Sequence, residues 1–110
     1  MSAESDQTTL DTSSSNLVVP DGLGLVYIDP SSLLVSKQIT FPPNPSDQQR
    51  LRIVFGGSIA TGTLITTLTM VPNSGQNIAG VIGNLVLLNI TPGSMAFIWR
   101  NSVGKWYRLQ

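Results

Sequence analysis

Turn residues break this chain roughly every ten residues, and no stretch between the breaks carries a helical apolar period. Pro20-Asp21-Gly22, Asp29-Pro30, Pro42-Pro43-Asn44-Pro45, Gly56-Gly57, Pro72-Asn73-Ser74-Gly75 and Thr91-Pro92-Gly93-Ser94 are the breaks. Pro removes a backbone donor and Gly admits positive φ, so each cluster ends a strand and turns the chain. Short runs rich in β-branched residues lie between them. The expectation is an all-β fold: a single antiparallel β-sandwich, or a jelly-roll-like or barrel domain.

The runs can be read individually. Arg50 to Phe55 alternates, with Leu51, Ile53 and Phe55 on one face and Arg50, Arg52 and Val54 on the other. Leu17 to Val19, Leu25 to Ile28, Leu64 to Val71 and Leu85 to Ile90 are further strands, and Val81-Ile82 adds a short one. Ile59 opens another short run. Leu33 to Phe41 is a strand with Val35, Ile39 and Phe41 as its apolar positions. The threonines of residues 64–71 suit a solvated or partner-facing sheet surface. Ile78 stands alone in a polar loop.

The clearest local signal is the end of the chain. Met95-Ala-Phe-Ile-Trp-Arg100, Asn101-Ser-Val-Gly104 and Lys105-Trp-Tyr-Arg-Leu-Gln110 read as two aromatic strands around a closing turn. Alternation places Met95, Phe97 and Trp99 inward. Trp106 shares a face with Arg108, and Tyr107 shares one with Lys105 and Leu109. Aromatics interleaved with cations are typical of subunit contacts, and an aromatic face also suits the C–H face of a sugar ring. Trp106, Tyr107, Arg108, Arg100 and Lys105 are therefore the candidate interface or glycan contacts. Core or cross-strand packing is the competing role for the tryptophans.

Charge is scarce and divided. Charged residues make up 11% of the 110-residue chain, with formal net charge zero. Glu4, Asp6, Asp11, Asp21 and Asp29 give the first 36 residues a net −5, and the remainder is net +5. Residues 1–16 are polar, acidic and low in complexity, and are expected to form a disordered arm before a β-domain spanning 17–110. Such an arm is either solvated or docked on a basic surface, its own or a neighbour's. Net neutrality gives no reason to expect nucleic acid.

Chemistry has little to build on. There is no Cys and no His, which removes thiolate sites and the commonest general base and metal ligand. Asp21 and Asp29 adjoin Gly or Pro and read as turn caps, not as a glycosidase pair. Gly22-Leu23-Gly24 and Gly56-Gly57 open no helix and are not phosphate loops. No catalytic residue, metal ligand or cofactor is expected, and the chain reads as a non-enzyme. Met1 is followed by polar and acidic residues, without a basic stretch and apolar run. No apolar stretch is long enough to span a bilayer by helix. Synthesis in a cytoplasm, without membrane insertion, is the expectation.

Several short motifs, taken in order, carry a resemblance. They are Gln38-Ile-Thr-Phe-Pro42, Asp47-Gln-Gln-Arg-Leu-Arg-Ile-Val-Phe55, Leu68-Thr-Met70, Gly75-Gln-Asn-Ile-Ala-Gly80, Gly93-Ser-Met-Ala-Phe-Ile-Trp-Arg100 and Gly104-Lys-Trp-Tyr-Arg-Leu109. The succession resembles small β-domains of bacteriophage virion proteins: tail-fibre and tailspike tips, head fibres and capsid decoration proteins. The resemblance implies a homotrimeric knob, spike or decoration in the virion, contacting other virion proteins of capsid or tail and a host-surface glycan. Because the chain starts at its own Met and has no repetitive shaft, a decoration or short spike is expected before a fibre tip. A carbohydrate-binding module using the C-terminal aromatic strand is the alternative.

Overall fold

The chain zigzags between two sheets. The computed structural model describes residues 8–11, 16–30, 32–56 and 62–110. They form β1 (Thr8–Asp11), β2 (Asn16–Val18), β3 (Leu25–Ile28), β4 (Leu34–Thr40), β5 (Arg50–Phe55), β6 (Ile65–Val71), β7 (Asn77–Ile78), β8 (Leu85–Ile90), β9 (Gly93–Arg100) and β10 (Lys105–Arg108). One sheet has the order β1-β3-β5-β9-β10-β7 and the other β2-β4-β6-β8. Up to β9, consecutive strands lie in opposite sheets.

This alternation corrects the expected antiparallel sandwich. A strand that crosses to the facing sheet and back returns beside its predecessor in the same direction. The pairings β1–β3, β3–β5, β2–β4 and β4–β6 are accordingly parallel, as is β7–β10. Among the described residues, only β5–β9, β9–β10 and β6–β8 are antiparallel. The fold is a mixed-sheet, β-sandwich-like domain whose Pro- and Gly-rich turns are arches between sheets. At the arch between β2 and β3, Gly22 takes φ 81°, a region that Gly enters without steric cost.

Within the segment expected to be a disordered arm, Thr8–Asp11 pairs in parallel with β3, and Asn16 already belongs to β2. The remainder of that arm, Gly57 and Ile59 lie outside the described residues. Two smaller expectations also change. Val81-Ile82 forms no strand, and Ile82 is fully exposed. Ile78 is in β7, buried against β10, where the Asn77 amide donates to Gly104 O at 3.1 Å and the Ala79 amide to Trp106 O at 2.8 Å.

The core lies between the sheets. Val26, Ile28, Leu51, Ile53, Phe55, Met95, Phe97 and Trp99 of the larger sheet face Ile39, Leu68 and Met70 of the smaller one. In β4, Lys37 is buried on the inner side, in register with Leu68 and Leu87, while Val35 on the same strand is 71% exposed. Alternation in β5 is as the sequence predicts: Leu51, Ile53 and Phe55 are buried and Arg50 and Arg52 exposed.

Candidate functional site

The terminal hairpin forms as its sequence predicts. Arg100 pairs with Lys105, Trp99 with Trp106, Ile98 with Tyr107 and Phe97 with Arg108. The Gly104 amide donates to Arg100 O at 2.9 Å and closes the turn. The Asp47 carboxylate accepts from the Asn101 amide at 2.8 Å, tying the turn to the loop before β5.

That register removes Trp106 from the candidate contacts. Directly opposite residues of a pair share a face, so Trp106 points inward with Trp99. It is completely buried. Its ring stacks on Phe41 with centroids 4.6 Å apart and packs tilted against Trp99 at 5.4 Å. The indole Nε1 donates to Gln76 Oε1 at 2.9 Å. Such a ring is a core element and cannot meet a sugar or a subunit across solvent. The signal was available in the sequence: a four-residue turn between Arg100 and Lys105 puts Trp106 across from Trp99.

The remaining candidates stay at the surface. Tyr107 is 37% exposed, and Arg100, Lys105 and Arg108 are exposed. Arg108 shares the parity of Trp106, lies at the end of β10, and its Nε donates to Gln110 O at 2.8 Å. Arg100 and Lys105 are direct cross-strand neighbours on the outer side of the larger sheet. Strand pairing adds residues that local reading could not connect to them. Arg50 is in register with Ile98, which is in register with Tyr107; Arg52 is in register with Leu25 and Ala96; Tyr27 is in register with Val54. Four of the six cations thus share one outer face. Among the described residues, no carboxylate pairs with Arg50, Arg52, Arg100 or Lys105.

Among the described residues, the opposite outer face carries no charge. Its rows run Ser36–Thr67–Leu88, Asn16–Gln38–Thr69–Val86 and Val18–Thr40–Val71. Val86 and Leu88 of β8 are 53% and 65% exposed. Among the described residues β8 is the outermost strand of this sheet, and its sequence LVLLNI contains neither charge nor Pro. Edge strands are ordinarily protected by charge, Pro or a bulge.

Asp21 and Asp47 have structural partners. Asp21 accepts from the Asn44 amide at 2.8 Å and from Asn44 Nδ2 at 3.2 Å. The expected turn cap is therefore a clamp between two distant loops. Among the described residues, no group of three or more metal-ligating side chains is assembled.

No family model matches the chain, and no curated protein matches it. Among solved structures, a chain from "Structure of a chaperone-substrate complex" superposes with TM-score 0.50 at 19% identity, over 89% of this chain and 14% of that one. At this identity the likeness concerns the fold alone. The chain spans only about 14% of the length of that matched chain.

Proposed function

We propose that the chain is a non-enzymatic structural component of a bacteriophage virion, a decoration, spike or fibre-knob component. It assembles as a homotrimer through the uncharged outer face and β8 edge of the four-stranded sheet. Its other sheet faces outward, toward the host surface. The single observation that carries the assembly is β8: a charge-free strand, aliphatic but for Asn89, at the margin, among the described residues, of a sheet whose outer rows are Thr, Val, Leu, Ser, Asn and Gln. Left in solvent, such an edge pairs with other chains. Against copies of the same surface it buries apolar area and supplies hydrogen bonds from uncharged polar groups, with no ion to desolvate. The trimeric number and the virion setting come from the motif resemblance.

Hydrogen–deuterium exchange tests this reading. The β8 amides are expected to exchange more slowly as protein concentration rises, while those of residues 79–84 do not change. Exchange of β8 that is independent of concentration would count against assembly through this edge.

A further inference from the structure

The outer face of the six-stranded sheet carries a diagonal stripe. It starts at Tyr27 on β3, passes Arg52 and Arg50 on β5, and ends at Tyr107, Arg100 and Lys105 on β9 and β10. Strand spacing near 4.8 Å and a rise near 3.3 Å per residue give it a length of roughly 25 Å. Val54 and Ile98, both half-buried, form an aliphatic floor beside the cations. Tyr27 and Tyr107 are 40% and 37% exposed. The pairing of Arg100 with Lys105 sets like charges directly opposite each other, an arrangement that destabilises a sheet. An anion seated between them removes that repulsion.

We infer that this stripe binds an extended carboxylated polysaccharide. Four cations that no carboxylate neutralises among the described residues supply the charge complement. The flat aliphatic floor and the two tyrosines suit the C–H faces of sugar rings, whose carboxylates reach the guanidinium and ammonium groups at the sides. Single-stranded nucleic acid is served less well, because it needs a charged groove with an aromatic platform for successive bases. The inference deepens the host-facing half of the proposed function. Its test reads ligand binding and not assembly state, so either can fail alone.

Titration of the full chain at low salt with an oligogalacturonate, a neutral dextran of equal length and an oligodeoxythymidylate of equal charge decides the matter. Oligogalacturonate is expected to bind, to weaken steeply with added salt, and to bind more tightly than the oligonucleotide; dextran is expected not to bind. The Arg50→Ala/Arg100→Ala/Lys105→Ala variant should lose about tenfold or more in affinity. Ile82→Ser, exposed in the loop before β8 and off the stripe, should leave affinity unchanged. Absence of oligogalacturonate binding, indifference to the triple substitution, or equal or tighter binding of the oligonucleotide would overturn the proposal. So would a comparable tightening on Glu4→Gln/Asp6→Gln, which would assign the stripe to the chain's own acidic segment.

Discussion

Trp106 and Gln76 are joined by a 2.9 Å hydrogen bond from the indole Nε1 to the amide Oε1. The same amide accepts from the Asn73 backbone N–H at 3.1 Å, and its Nε2 donates to the carbonyls of Pro42 and Pro43. One buried side chain thereby joins the last strand, the turn after β6 and the Pro-rich arch. Both partners are removed from solvent, so neither can exchange the bond for water.

Trp106→Ala is therefore expected to cost about 3–5 kcal/mol, as large-to-small changes in a packed core do. Trp106→Phe keeps stacking against Phe41 and loses only the indole bond and part of the volume, so its cost should be clearly smaller. Urea denaturation midpoints of the two variants check the order.

Gln76→Leu deletes the acceptor of the indole N–H and the donor to two prolyl carbonyls. Leaving buried groups unpaired costs about 1–3 kcal/mol each. The expected result is destabilisation by a few kcal/mol, together with faster proteolysis in the arch at residues 42–45. A Gln76→Leu protein as stable as wild type would remove this cluster from the account.

Much of this was legible from the sequence where the determinants are local. The hairpin of Met95 to Arg108 has its strands, turn and alternation within one short segment, and it forms as a hairpin there. The alternation of Leu51, Ile53 and Phe55 likewise fixes a face without reference to any other strand. Sheet membership is different. The same Pro and Gly clusters serve a hairpin and an arch, so Pro20-Asp21-Gly22 marks a turn but not the sheet to which the chain turns. For that reason the parallel pairings were not legible. The neighbours of Arg50 and Arg100 depend on β5–β9 pairing across some 40 residues of chain. Lys37 and Val35 show the limit of hydropathy. The charged residue is inside and the apolar one outside, because the position along β4 relative to the facing sheet decides burial.

The pairing of Arg100 with Lys105 carries a trade between stability and binding. Lys105→Glu turns a like-charged cross-strand pair into an opposite one, and is expected to raise stability by about 0.2–1 kcal/mol. The same change should abolish binding of the carboxylated polysaccharide. Thermal melts and titrations on one preparation read both effects. Unchanged stability with unchanged binding would contradict the placement of these two side chains on a ligand surface.

Asp47 anchors the hairpin turn through the Asn101 amide. Asp47→Ala should cost about 1 kcal/mol, with exchange at the Asn101 amide accelerated before that of the strand amides. Site-resolved hydrogen exchange by NMR distinguishes this local loosening from global destabilisation.

The most direct measurement of the central claim, assembly through the uncharged sheet, is sedimentation equilibrium of the full chain and of Val86→Arg/Leu88→Arg. Both substituted side chains are exposed, so the variant should keep its fold. The wild-type chain is expected to sediment at about 35 kDa, three times its 11.8 kDa. The variant is expected to sediment as a monomer, with Ile82→Arg in the loop before β8 behaving as wild type. A wild-type chain that remains monomeric at micromolar concentration, or a trimer untouched by the paired arginines, would contradict the account.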